Sequence, residues 1–265
     1  MKQLFTWVIL LALAITLSNC KDHVKTRRQA GLEFDSISID TAITLTGDKN
    51  APICALKLDL KMAKGSHADQ INDSLLRSGL LVPDYLSLSN MQLTPKEAID
   101  SFITCYFNDY REFYAPIYQK EANKAYGQQL FEVTTSVQGG KEGITNYIAN
   151  ISIISGEQHT EYTLVKNIEE KSGRLLTLND IFIKGHDKEI GETILKALAN
   201  QEGMDTEELL GEGFFASGDA YPSKNFILDD DGITFIYISG EIANRLKGEI
   251  QVFVKYSKLH KWMKE

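Results

Sequence analysis

The sequence predicts an α+β fold, with antiparallel sheets packed against helices in two closely associated subdomains. Three observations carry that expectation. Several segments alternate apolar and polar residues with the period of a half-buried strand. One long segment repeats aromatic residues at helical spacing. Strand-like and helix-like segments come in blocks, without the regular strand–helix alternation of a parallel α/β chain. At 43% hydrophobic residues, the 265-residue chain can bury a substantial core, and its formal net charge of −8 argues against nucleic acid or an anionic lipid surface as partner.

Leu32 to Leu45 reads as a first strand and Ala51 to Met62 as a second, joined by the turn residues Gly47-Asp48-Lys49-Asn50. Residues 66–79 read as a helix ending near Gly79. Thr94-Pro95-Lys96-Glu97 is a helix start: Thr94 caps, Pro95 takes the first helical position, and Glu97 completes a capping box. The stripe Ile99, Phe102, Ile103, Tyr106, Tyr110, Phe113, Tyr114 and Ile117 then packs this helix onto a sheet, with Pro116 expected to kink or end it. Gln129 to Val137, Gly143 to Ile154 and Gln158 to Ile168 form an antiparallel meander through short glycine-bearing links. Residues 178–182 read as a helical turn capped by Asn179, followed by helices at 187–201 and 205–210. Asn225 to Ile238 reads as a hairpin turning at Asp229-Asp230-Asp231-Gly232. A strand at 249–256 and a short helix at 259–263 end the chain. The two domains are expected at 32–138 and 139–265.

Residues 1–19 have a different character. Lys2 precedes an apolar run from Phe5 to Leu17 that is too short to cross about 30 Å of hydrocarbon at about 1.5 Å per residue, yet suits a signal peptide. The run ends at Leu17-Ser18-Asn19-Cys20, which resembles the lipobox of bacterial lipoproteins. That resemblance implies cleavage before Cys20, which becomes the new N-terminus and carries the acyl chains of a membrane anchor. Lys21 after the cysteine implies, by the same resemblance, the outer membrane. Residues 20–31 then form a lipidated, polar tether. An envelope compartment permits disulfides. Cys54 lies on the apolar side of its strand with Leu56, Leu58 and Leu60, and Cys105 on the flank of the aromatic stripe. They form either a disulfide closing a loop of about 50 residues, worth roughly 4 kcal/mol, or two free thiols that pack as small apolar residues.

The C-terminal half carries an ordered set of motifs: Gly156-Glu157-Gln158-His159, Tyr162, the run from Ser172 to Phe182, Asn225-Phe226, Asp231-Gly232-Ile233, Tyr237 to Gly248, and Val254 to Leu259. Over roughly 140–260 this order resembles the C-terminal domain of unknown function in the RsiV-like family. The best-known member of that family is a lysozyme-sensing anti-sigma factor whose extracytoplasmic part binds the enzyme, and another architecture joins the domain to a polysaccharide deacetylase. The resemblance implies a binding or sensing module facing a protein or cell-wall partner.

Local motifs nominate little chemistry. The five histidines (His23, His67, His159, His186 and His260) never reach His-Glu-x-x-His spacing, no Gly-x-Ser-x-Gly elbow or phosphate loop occurs, and Asp229-Asp230-Asp231 lacks the alternate spacing of a calcium loop. No cofactor, metal or catalytic residue is therefore expected. His159, between Glu157 and Glu161 near a strand start, leads the candidate binding residues, with Glu241 in the Tyr237 to Gly248 run. The competing reading is a glycan- or peptidoglycan-directed hydrolase using an Asp/Glu pair across a cleft.

Overall fold

The computed structural model describes residues 30–48, 50–88, 93–121, 127–216 and 218–264. The expected signal peptide, Cys20 and most of the tether lie outside the described residues. Among those residues, no helix is long and apolar enough to cross a membrane.

The chain is mixed α and β, built on a six-stranded sheet and a three-stranded sheet. The large sheet has the order β1-β2-β3-β4-β5-β6, from β1 (Phe34–Thr44), β2 (Ile53–Ala63), β3 (Gln129–Gly139), β4 (Ile144–Ser155), β5 (Gln158–Glu169) and β6 (Leu175–Leu176). β1 and β2 form a hairpin, and β3, β4 and β5 form the expected meander. One junction departs from the all-antiparallel expectation, because β2 and β3 pair in parallel, from Cys54↔Gln129 to Asp59↔Thr134. The intervening segment contains α1 (Ala68–Leu75) and α2 (Pro95–Glu121), long enough to carry the chain back to the starting end of the sheet.

α2 begins as its sequence dictates. Thr94 Oγ1 accepts from the Glu97 N–H at 3.4 Å, while the Glu97 carboxylate accepts from the Thr94 N–H at 2.9 Å. The helix continues through Pro116. Its stripe packs on the sheet through Phe102 and Tyr106, whose rings each lie 5.8 Å from that of Phe131. Phe113 is rotated away from the stripe and is 64% exposed. Cys54 is fully buried and Cys105 half-buried, and both are free thiols.

The second unit holds α3 (Leu178–Ile181), α4 (Asp187–Glu202), α5 (Thr206–Gly211), the sheet β7-β8-β9 (Phe226–Leu228, Gly232–Tyr237, Ile250–Lys255) and α6 (Tyr256–Leu259). Ile190, Ile194 and Leu198 recur along one face of α4 and share a core with Phe235, Tyr237, Val252 and Trp262. Gly191 has no room for a side chain, since a Cβ there would meet the Ala220 carbonyl oxygen at 1.8 Å. The two units were expected to divide at 138/139. β3 and β4 remain paired across it, as far as Gly139↔Thr145, and the first core draws on residues up to Leu175.

The Ser172–Phe182 run marks the join between the units. Gly173 adopts φ 71° and lies against His67, where a Cβ would approach the histidine Cβ to 2.6 Å. Arg174 reaches Asp180 at 3.3 Å. Asp180 forms a capping box with Thr177, which is the N-cap of α3 in place of the expected Asn179. The conspicuous residues of this motif thus bond to one another and close a turn.

Candidate functional site

Strand register builds one cleft. Alternation places Glu132 and Thr134 of β3, Asn150 and Ser152 of β4, and His159, Glu161 and Thr163 of β5 on the sheet face opposite the aromatic helix. Cross-strand pairing aligns them in rows, Glu132↔Ser152↔Glu161 and Thr134↔Asn150↔Thr163. The second unit raises a wall beside these rows with Ile238, Ser239, Arg245, Gly248 and Glu249, and the space between is about 880 Å³. The lining mixes polar and apolar surface, and its carboxylates Glu132, Glu161 and Glu249 face a single guanidinium, Arg245.

The two units meet beside the cleft through side chains that bond backbone. Asn225 Oδ1 accepts from the Val165 N–H at 2.7 Å, and its Nδ2 donates to the Thr163 carbonyl at 2.6 Å. Glu249 Oε2 accepts from the Thr163 N–H at 2.8 Å. Asn167 donates to the Phe226 carbonyl at 2.8 Å and accepts from the Leu228 N–H at 3.0 Å, and Asn146 donates to the Leu228 carbonyl at 3.2 Å. The cleft walls are therefore held by groups that a buried interface must satisfy.

Of the candidates read from sequence, His159 and Glu161 line the cleft. His159 Nε2 lies 2.9 Å from Glu161 Oε1 and 3.0 Å from Ser152 Oγ. These are the residue types of a nucleophile triad, but a triad needs the serine on one ring nitrogen and the carboxylate on the other. Here both converge on Nε2, so the imidazole cannot relay a proton between them. Glu157 sits in the β4–β5 turn and is exposed. Glu241 lies outside the cleft lining: it accepts from the Tyr221 hydroxyl at 2.9 Å and from the Ile238 N–H at 2.9 Å. It thereby steadies a cluster in which the rings of Phe215, Tyr221 and Tyr237 meet edge to face. The Tyr237 hydroxyl donates to the Tyr221 carbonyl at 2.6 Å, and burial pushes the Tyr221 hydroxyl up to about 12. Among the described residues, no group of three or more His, Cys, Asp or Glu is placed to hold a metal ion.

Sequence reasoning missed Glu132, Ser152, Arg245 and Glu249. A signal for the first was present, since alternation along β3 sets Glu132 and Thr134 opposite the buried Phe131 and Val133. No local pattern could have joined them to Arg245 and Glu249.

A second concavity, about 450 Å³, runs between β1 and α2 over Ile37, Ile39, Ile99 and Ile103. Lys96 and Asp100, paired at 2.7 Å, stand at its side.

Comparison with known proteins bears on the second unit and on the fold. Residues 179–257 match DUF3298, a family described as protein of unknown function. No curated protein matches the chain. A solved DUF3298 family protein from Bacteroides fragilis is similar with a TM-score of 0.76 at 23% identity, covering 90% of this chain and 96% of its own. One from Pseudomonas aeruginosa is similar with a TM-score of 0.55 at 11% identity, covering 88% and 95%. The match begins inside α3, where the second unit begins, whereas β5 with His159 and Glu161 precedes it. Residues 179–257 thus carry a DUF3298 domain, within a chain whose fold is shared with two solved proteins of that family.

Proposed function

We propose that this protein is a non-enzymatic binding or sensing module of the bacterial cell envelope, anchored through lipid on Cys20, with its ligand held in the cleft. The observation that carries this reading is the cleft itself, which is roomy, sets three carboxylates against one guanidinium, and is assembled from elements of two hydrophobic cores. The run from Phe5 to Cys20 supports a lipoprotein of the outer membrane facing the periplasm or the cell surface. The motif order from Gly156 to Leu259 supports kinship with RsiV-like proteins. A basic, cell-wall-associated protein such as lysozyme is the ligand that these features favour, because the chain carries −8 and the cleft adds local carboxylates.

Lysozyme retention on the immobilised protein at two salt concentrations tests the reading. Retention at low salt that fades as salt rises is expected, since exposed charges are screened beyond about 8–10 Å near physiological ionic strength. Absence of retention at low salt removes lysozyme as the ligand. Replacing Cys20 with alanine should move the protein from the membrane fraction to the soluble one.

One observation favours a second reading, a glycan-directed hydrolase. Glu132 and Glu161 face the same cleft two strands apart, roughly 10 Å between backbones, near the separation an inverting carboxylate pair uses. Against it, the Glu161 carboxylate is engaged by His159 in open solvent, with 67% of its side chain exposed. Release of sugar or acetate from purified peptidoglycan, lost in Glu132→Gln and Glu161→Gln, would favour the hydrolase.

A further inference from the structure

The outer edge of β5 is closed along one half and open along the other. Odd-numbered residues of β5 turn their backbone N–H and C=O away from β4, as the bonds at Thr163, Val165 and Asn167 establish. β6 pairs at Asn167 and Ile168, Asn225 at Val165 and Thr163, and Glu249 at Thr163. The closure then stops. Among the described residues, the outward N–H and C=O of Glu161 and His159 have no hydrogen-bond partner, and both residues line the cleft. Unpaired strand-edge groups are a template for another extended chain.

We propose that the cleft receives an extended peptide segment of a basic protein partner, laid along β5 as an added strand that bonds the backbone of Glu161 and His159. This rests on the binding reading above and adds the class of ligand and its mode of attachment. Charge selects the class. Glu132 and Glu161 lie on the cleft floor and Glu249 at its closed end, with Arg245 the one opposing guanidinium of the lining. An added strand rises about 3.3 Å per residue, so its alternate side chains fall roughly 7 Å apart on one face. A lysine or arginine beside Glu161 would then meet its carboxylate, with Glu132 further across the floor in the same cross-strand row, while the neighbouring peptide residues face away. The Asn225 and Glu249 bonds at Thr163 leave no free edge beyond that residue and so fix where the added strand stops.

The test uses the full chain and a seven-residue, end-blocked peptide alternating lysine and threonine. Two further versions carry N-methyl groups on one or the other alternate set of amides. Binding of the plain peptide is expected, with one methylated set weakened on the order of tenfold or more and the other set little changed, since only one edge of an added strand meets β5. Two protein variants separate charge from backbone. Glu161→Ala keeps the outward N–H, whereas Glu161→Pro deletes it without touching the β4 ladder. The proline variant should bind at least about tenfold more weakly than the alanine one, with circular dichroism and melting checking that both fold. If the proline variant does not fold, the methylated peptides decide on the unaltered protein. Equal binding of both methylated sets, or of both folded variants, overturns strand addition. No binding of the plain peptide while lysozyme or peptidoglycan is retained also overturns it and leaves the binding reading standing. Retention of none of the three overturns both.

Discussion

The two halves of β5 belong to one strand and one register, yet they meet different surroundings. From Thr163 to Asn167 the outer edge is bonded by side chains and a short strand, and Val165 and Asn167 are 3% and 1% exposed. At His159 and Glu161 the same kind of edge faces a wide cleft, with half or more of each side chain in solvent. Water explains the difference. Where the second unit presses on the sheet, each backbone group must find a protein partner, and Asn225, Asn167 and Glu249 supply them. Where the cleft admits water, the groups stay solvated and available to a ligand.

The strongest way to break this contrast is to remove the closure. Asn225→Ala would strand the Val165 N–H and Thr163 C=O, both close to the interface. At about 1–3 kcal/mol for each group left unsatisfied, a loss of roughly 2–6 kcal/mol is expected, read as a lower urea midpoint at constant slope. Asn167→Ala should cost a similar amount, because Asn167 is buried and bonds both Phe226 and Leu228.

A second test asks whether the closure couples the two cores. Each core holds tyrosines whose hydroxyls burial pushes upward. In the first, Tyr147 rises to about 12, along with Tyr106 and Tyr110. In the second, Tyr237 and Tyr256 rise, and Tyr221, whose ring packs on Tyr237 from the surface, rises to about 12. An unfolded tyrosine ionises near 10. Above that pH the unfolded chain releases protons that the folded chain keeps, so stability is full below about pH 10 and is lost as pH rises toward 12. Tyrosinate absorbance should appear in one cooperative step in the unaltered protein and in two steps in Asn225→Ala. Two steps in both would show that the asparagine bonds do not link the cores.

Much of this framework was legible in the sequence, because local patterns encode it. Alternation located β1 to β5, Thr94 and Glu97 announced the start of α2, and the short links at 138–142 and 155–157 dictated hairpins. Three features were not legible, each for a physical reason. Parallel pairing of β2 with β3 depends on the path of the intervening helices. The cap of α3 is Thr177 because Asp180 lies three residues beyond it, and that box competes successfully with Asn179. The cleft joins Glu132, Ser152 and Glu161 to Arg245 and Glu249 through tertiary packing, which no window of neighbouring residues records. His159 and Glu161 were found because they alternate on one strand. Glu241 was not part of that face, and its carboxylate supports an aromatic cluster.

A milder change acts where the closure ends. Glu249→Ala leaves the Thr163 N–H without its acceptor, but this site borders the cleft and water can enter. A loss of about 1 kcal/mol is expected, below that of Asn225→Ala. Glu249→Gln keeps an acceptor oxygen and should recover most of it, while weakening retention of a basic ligand. A loss as large as that of Asn225→Ala would mean that the open half of the edge begins further along β5.

The smallest effect belongs to the open half itself. His159→Ala and Glu161→Ala remove a solvent-exposed pair, 2.9 Å apart, from a strand edge that water already satisfies. Exposed pairs contribute little, so each variant should change stability by no more than about 0.5 kcal/mol in urea unfolding. Ligand retention is where the two should part. Glu161→Ala removes a floor carboxylate and weakens binding of a basic protein, whereas His159→Ala frees that carboxylate from its imidazole and leaves binding equal or stronger. Loss of binding in His159→Ala with the fold intact would make the imidazole itself a ligand contact. A destabilisation above about 1 kcal/mol in either variant would mean that this half of the edge is structural, and the contrast along β5 would then reflect distance from the second core rather than availability to a partner.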